Sequence, residues 1–127
     1  MNKDFIDAHC LSKIGATKEY STEWAVDRYL VGGKYFGLRF NDDIGDEFIT
    51  LKHDPHNGDF LREQYEDILP GYYSNKLHWS TVKLIGTVPT GVVKDMIDES
   101  YELVFAKLTK KLQKEILETK KIVLTQG

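Results

Sequence analysis

The stretch that decides the fold is Trp24–Phe40, with the sequence WAVDRYLVGGKYFGLRF. It predicts a β-hairpin, because Gly32-Gly33 separates two runs rich in β-branched and aromatic residues. Two glycines supply the positive φ angles that a two-residue turn requires. In that hairpin Val31 opposes Lys34 and Tyr29 opposes Phe36. Strand alternation then predicts two faces: a covered one with Tyr29, Val31, Phe36, Leu38 and Phe40, and an outward one with Val26, Arg28, Leu30, Tyr35 and Arg39.

Two further strands follow the hairpin. After a turn at Asn41–Asp46, alternating hydrophobic residues predict a strand over Glu47–His53. Asp54-Pro55 ends it, since proline cannot continue the ladder of a central strand. A later strand is expected over His78–Ile85, where Val82 and Leu84 alternate with Trp79, Thr81 and Lys83.

Helical patterns surround these strands. Residues 3–14 read as a short amphipathic helix ended by Gly15 as a C-cap, and Ala16–Thr22 reads as a polar connection. Asn57 is expected to cap a helix that runs to about Asp67. The strongest helix is Pro89–Leu108, which extends into the lysine-rich end. The order of elements predicts an α+β, two-layer sandwich, in which an antiparallel sheet packs on N- and C-terminal helices.

Composition fits one globular domain of 127 residues, with a core over about residues 3–112 and a lysine-rich extension over residues 113–127. The net charge is −3, whereas most nucleic-acid binders carry an excess of basic residues. Lys107–Lys121, however, holds six lysines against two glutamates. Cys10 is the only cysteine, and the sequence contains no run of about 18 apolar residues. We therefore expect a cytoplasmic protein with no membrane partner.

The outward face of the predicted sheet is the main candidate site. It carries basic and aromatic residues and no acid on the assigned strands, and its members are Arg28, Tyr35, Arg39, Phe48, Lys52, Trp79 and Lys83. Such a mixture suits contact with a phosphate backbone and stacking on bases. It is equally typical of the solvated face of an antiparallel sheet.

A second candidate is the loop-to-strand stretch Asn75–Trp79. Lys76 is placed to meet a phosphate, whereas Asn75 is typical of a turn. His78 and Trp79 are expected to be largely buried and to pin the loop against the last helix. Ser100 and Tyr101 fall on the apolar stripe of the long helix, where Ser100 allows close packing and has no base to activate it.

Other polar groups indicate no catalysis, cofactor or metal. His53-Asp54-Pro55-His56 forms a bend rather than a converging ligand set, so a strand exit is favoured over a metal site. Cys10 is expected to pack in the core. No paired general acid and base stands at a readable spacing, so an enzyme is not favoured.

The stretch NKLHW at residues 75–79, together with SYELVFAKL at residues 100–108, resembles the MmcQ/YjbR-like family. The resemblance extends over roughly residues 5–112, with further matches at Gly33–Phe36, Leu51–Pro55 and Leu61–Tyr65. It implies a fold similar to the frataxin-type CyaY proteins, and a DNA-binding role through a double-wing arrangement.

Three functions remain open at this point. The leading hypothesis is a non-enzymatic DNA-binding protein of low sequence specificity, which uses the sheet face, Lys76 and the lysines near Lys107–Lys114. The second is a protein-interaction or regulatory domain without nucleic-acid binding. The third is a small-ligand-binding protein or an undiscovered enzyme, with a pocket near Tyr72, Asn75, Lys76 and His78.

Overall fold

A computed structural model describes residues 3–71 and 75–126 of the chain. Its strands are β1 (Thr17–Ser21), β2 (Val26–Val31), β3 (Lys34–Asn41), β4 (Glu47–Lys52), β5 (Ile68–Pro70) and β6 (Trp79–Lys83). Its helices are α1 (Lys3–Leu11), α2 (Pro55–Gln64), α3 (Thr90–Ala106) and α4 (Lys110–Gln126). Over these ranges the strands form one antiparallel sheet in the order β1-β2-β3-β4-β6-β5. The predicted α+β class is confirmed.

The predicted hairpin joins β2 to β3. Gly32 and Gly33 have φ angles of +58° and +80°, and Val31 pairs with Lys34, as the turn requires. The expected pairing of Tyr29 with Phe36 is wrong, because Tyr29 pairs with Gly37. Phe36 is an extra residue in β3, which forms a β-bulge and shifts the alternation of every later residue in the strand.

The bulge determines which residues lie under the helices. Tyr29, Val31 and Phe36 belong to the main core, together with Ile6 and Cys10 of α1 and the apolar stripe of α3. Leu38 and Phe40 were expected beside them, and this is wrong. Both residues lie on the opposite face of the sheet, in a smaller buried cluster with Val26 and Phe48.

Two strands, β1 and β5, were not predicted from the sequence. β1 covers residues that were expected to form a polar connection, and four of its five residues are exposed. An edge strand of this kind pairs through its backbone and shows no hydrophobic alternation. β5 is only three residues long and pairs with β6 at the other edge, where Pro70 is tolerated.

The short helices differ from prediction at their ends. α1 ends at Leu11, four residues before the expected cap Gly15, which lies in the following turn with φ +72°. α2 begins at Pro55, because the Asp54 carboxylate accepts the backbone N–H of Asn57 at 3.1 Å. Asp54 is therefore the cap that was assigned to Asn57, and the helix ends at Gln64 rather than Asp67.

The long helix is confirmed within two residues at each end, with the expected buried stripe along α3. It does not continue into the lysine-rich end. The Thr109 hydroxyl accepts the backbone N–H of Leu112 at 3.1 Å and starts α4 as a separate helix. Leu112 and Ile116 of α4 lie against Gly32 and Gly15. Within the described ranges, no helix is long and apolar enough to cross a bilayer.

Candidate anion-binding cleft

Most of the predicted outward residues share one face of the sheet. The register pairs Lys52 with Trp79 and Phe48 with Lys83, and neighbouring strands add Arg28 and Tyr35 to the same side. This is the face away from α1 and α3, as expected.

Arg39 does not belong to that face, and its prediction is wrong. The bulge at Phe36 turns Arg39 toward α1, where its guanidinium lies 3.7 Å from Asp7 and 3.4 Å from Glu47. The Tyr29 hydroxyl donates a hydrogen bond to the same Asp7 carboxylate. Arg39 is thus part of a polar cluster at the sheet–helix junction.

Acids do occur beside the outward face, which was expected to lack them. Glu19 of β1 forms an ion pair with Arg28, and Asp46 in the β3–β4 turn lies 3.6 Å from Lys83. The prediction missed Glu19 because β1 was not recognised as a strand. Arg28 and Lys83 consequently have carboxylate partners before any ligand arrives.

A cleft at one end of the sheet contains lysines that have no carboxylate partner among the described residues. It has a volume of about 470 Å³ and is lined by Gly33, Lys34, Tyr35, Lys52, Trp79, Val104, Lys107 and Leu108. We call it the lysine–aromatic cleft. No acid lines it among the residues that the structure describes, and no ion pair is formed there by Lys34, Lys52 or Lys107.

The cleft concentrates positive charge beside aromatic rings. Burial, followed by the adjacent Lys107 ammonium, lowers the pKa of Lys52. The Lys52 ammonium lies 5.9 Å from the centre of the Trp79 ring, and the rings of Tyr35 and Trp79 are 5.3 Å apart with a 43° tilt. Two neighbouring ammonium groups are stabilised by an anion placed between them. The arrangement therefore suits an anionic ligand with an apolar or aromatic body.

Lys34 and Lys107 were not predicted as members of one site. Lys34 was predicted only as the hairpin residue opposite Val31, and Lys107 only as the start of a lysine run. They come from β3 and from the residue after α3, so their meeting depends on packing of the helix on the sheet.

Ser100 fixes two strands that border the cleft. Its hydroxyl donates to the carbonyl of the bulge residue Phe36 and accepts the backbone N–H of Lys52 at 2.9 Å. The neighbouring Tyr101 hydroxyl donates to the Ile14 carbonyl at 2.6 Å, and its ring meets Phe36 edge-on at 5.5 Å. Both side chains have structural roles, and Ser100 also sets the position of Lys52.

The stretch Asn75–Trp79 forms the turn that delivers Trp79 to the cleft. The Asn75 side chain accepts the N–H of Leu77 at 2.8 Å, as in an Asx-turn. The Lys76 ammonium donates to the Gly71 carbonyl at 3.1 Å, and the Gly71 N–H donates to the Trp79 carbonyl at 3.0 Å. Lys76 therefore braces the turn and does not line the cleft. Tyr72, a member of the predicted pocket, lies outside the described residues.

His53 holds the start of β6 and the end of the preceding turn in place. It is buried, its Nδ1 lies 2.9 Å from the Asp54 carbonyl, and its Nε2 lies 2.6 Å from the Ser80 hydroxyl. Burial lowers the pKa of His53, which favours the neutral ring. The His53 backbone N–H donates to the His78 carbonyl at 2.9 Å. Within residues 3–71 and 75–126, no group of three or more potential ligands is placed to hold a metal.

Cys10 lies in the main core, as predicted. Burial raises the pKa of its thiol to about 12, so the group is a thiol and not a thiolate at neutral pH.

Comparisons with known proteins converge on one family. The family model YjbR matches residues 11–103. The protein YjbR of Escherichia coli K12 is 30% identical over 94 residues, which cover 74% of this chain and 79% of the relative. YyaQ of Bacillus subtilis is 31% identical and is covered over 98% of its length, with 81% of this chain matched. A crystal structure of a Deinococcus radiodurans protein with a DUF419 domain superposes with a TM-score of 0.80 at 30% identity, over 89% of this chain and 86% of that one.

Proposed function

The chain belongs to the YjbR family, and from this premise we propose that it is a non-enzymatic DNA-binding protein of low sequence specificity that holds phosphate groups in the lysine–aromatic cleft. One observation carries the proposal. Lys34, Lys52 and Lys107 meet at one cavity beside Tyr35 and Trp79, where no acid is found among the described lining residues. Phosphate contacts of this kind give affinity without sequence reading.

The proposed surface is narrower than the whole sheet face. Arg28 and Lys83 already have carboxylate partners, and each must lose part of that interaction before it meets a phosphate. The exposed Lys110, Lys111 and Lys114 of α4 follow Lys107 in the chain, and we propose that they extend the positive region instead. Lys76 is a secondary candidate, because its ammonium has a carbonyl partner and remains exposed.

Two finer expectations belong to the same proposal. We propose that the sheet, with α1 and α3 on one face, follows the frataxin-type CyaY arrangement and that its edges act as the wings of a double-wing DNA-binding protein. Superposition of an experimental structure on a CyaY protein tests the first part. We also propose a cytoplasmic location, which cell fractionation tests.

The test compares paired charge variants in a binding titration with a generic DNA at low salt. Lys52→Gln with Lys107→Gln removes two of the proposed phosphate contacts. We expect this double variant to bind roughly hundredfold to ten-thousandfold more weakly, because each of the two lost hydrogen bonds to a charged group contributes about 1.5–3 kcal/mol.

The matched control is Arg28→Gln with Lys83→Gln, which removes the same net charge from the paired cations. The control should keep its affinity within about twofold. Equal losses in both double variants would show only a response to net charge. Absence of wild-type binding at about 50 mM salt, where phosphate contacts are strong, would reject the proposed function.

A further inference from the structure

The size of the lysine–aromatic cleft indicates more than a phosphate site. Its volume of about 470 Å³ falls in the range of about 300–1,000 Å³ that is usual for pockets that bind small molecules. A phosphate group alone fills only part of such a space. The remaining wall is formed by Tyr35, Trp79, Val104 and Leu108, which suits a ligand that also carries an apolar or aromatic body.

The strand cations that lack acidic partners are concentrated at the cleft. Lys18 lies 3.0 Å from Asp7, and Arg28, Arg39 and Lys83 have acidic partners as well. Among the described strands, this leaves Lys34 and Lys52, both of which line the cleft. A duplex-binding surface typically makes about six to ten phosphate contacts. The cleft instead matches one nucleotide unit, with a second or third phosphate reaching toward α4.

The aromatic wall distinguishes unpaired from paired nucleotides. In a duplex each base is stacked between its neighbours, whereas an unpaired base can stack on a protein ring. Lys52 joins the two kinds of contact, because its ammonium lies both beside Lys107 and 5.9 Å from the Trp79 ring centre. A phosphate bound at Lys52 therefore places the sugar and base of the same nucleotide next to Tyr35 and Trp79.

Building on the proposed function, we infer that the lysine–aromatic cleft binds one unpaired nucleotide at a time. Its phosphate lies between Lys52 and Lys107, and its sugar and base lie against Tyr35 and Trp79. The nucleotide is either part of a single strand or free in solution. The first source needs the neighbouring α4 lysines for the flanking phosphates, and the second does not.

The experiment uses the full chain and four probes at one salt concentration: a single-stranded dT oligonucleotide, the dT·dA duplex of equal length, free dTMP and inorganic phosphate. We expect the single strand to bind at least tenfold more tightly than the duplex. Trp79→Leu should weaken single-strand binding by roughly 5-fold to 100-fold, as loss of one base–aromatic contact does. Duplex binding should change less than twofold.

Trp24→Leu is the matched control, since Trp24 lies in the β1–β2 turn and does not line the cleft. It should leave the single-strand affinity unchanged. A second readout covers the case in which Trp79→Leu fails to fold. In a Trp24→Phe background, fluorescence of Trp79 alone should be quenched by the single strand and not by the duplex.

Free dTMP separates the two sources of the ligand. If dTMP competes at concentrations close to the dissociation constant of the strand, the inference is supported with a free nucleotide as the ligand. If dTMP competes only at far higher concentrations, it is supported with a single strand as the ligand. Duplex affinity equal to that of the single strand, or a Trp79→Leu loss shared by both, would overturn the inference and leave DNA binding in place. Competition by inorganic phosphate as effective as that by dTMP would also overturn the inference. If the wild-type chain bound none of the four probes, the proposed function itself would be rejected.

Discussion

At the scale of single residues, the family signature contains both residues that support the cleft and residues that line it. Ser100 is buried and joins α3 to the bulge of β3 and to the end of β4. Asn75 and Lys76 hold the turn before Trp79. Of the residues in the signature stretches, Trp79, Val104, Lys107 and Leu108 line the lysine–aromatic cleft. The sequence motif therefore covers part of the proposed cleft, but it does not distinguish the residues that line the cleft from those that support it.

Ser100→Ala tests the positioning role. The change leaves the Phe36 carbonyl and the Lys52 N–H without their buried partner. We expect the free energy of unfolding to fall by about 1–3 kcal/mol, the usual cost of an unsatisfied buried polar group. Urea denaturation measures it.

The exposed Ser12 provides the control, since its hydroxyl donates to the His9 carbonyl one turn earlier. Ser12→Ala should change stability by less than about 0.5 kcal/mol. If Ser100→Ala were equally mild, the hydroxyl would not be satisfying the backbone groups of the bulge.

At the scale of elements, the hairpin turn was predictable and the bulge was not. Gly32-Gly33 fixed the turn and the pairing of Val31 with Lys34. Gly37 is a glycine inside a strand pattern, which can mark a bulge, but the pattern does not show which residue is extra, because either register places Phe36 in the core. The single shift moved Leu38, Phe40 and Arg39 to faces opposite those predicted. Strand β1 was missed for a different reason, since its exposed polar residues carry no periodicity.

The two turn glycines yield a prediction that separates backbone strain from crowding. Both have positive φ, but the space around them differs. A Cβ added at Gly32 would lie 2.7 Å from Leu108 Cδ1, whereas a Cβ added at Gly33 would have no atom of the described residues within 4 Å. Gly33→Ala should cost about 1–2 kcal/mol for the left-handed backbone alone. Gly32→Ala should cost a further 1–3 kcal/mol or so, because the added methyl crowds Leu108 and Leu112.

Thermal or urea unfolding of the two variants checks this difference. Equal destabilisation would mean that the end of α3 and the start of α4 do not press on the hairpin turn. The comparison also bears on the cleft, because Gly33, Lys34 and Leu108 line it together.

At the scale of the whole molecule, sequence patterns predicted the layers but not the site. The apolar stripe of α3 and the alternation in β6 correctly gave a helix packed on an antiparallel sheet. The cleft combines Lys34, Lys52, Trp79 and Lys107, which are far apart in the chain and share no spacing. Their convergence follows from tertiary packing. The pairing of Arg28 and Lys83 with acids likewise depended on an unrecognised strand and a turn.

The most direct test of the central claim is to map where a nucleic acid binds. The measurement is a ¹H–¹⁵N NMR titration of the chain with a single-stranded dT oligonucleotide, and the two tryptophan indoles serve as internal probes. We expect saturable shifts of the Trp79 indole and of the backbone amides of Lys34, Lys52 and Lys107, with the Trp24 indole unmoved. Shifts centred on Arg28 and Lys83, with Trp79 unchanged, would contradict the lysine–aromatic cleft as the binding site.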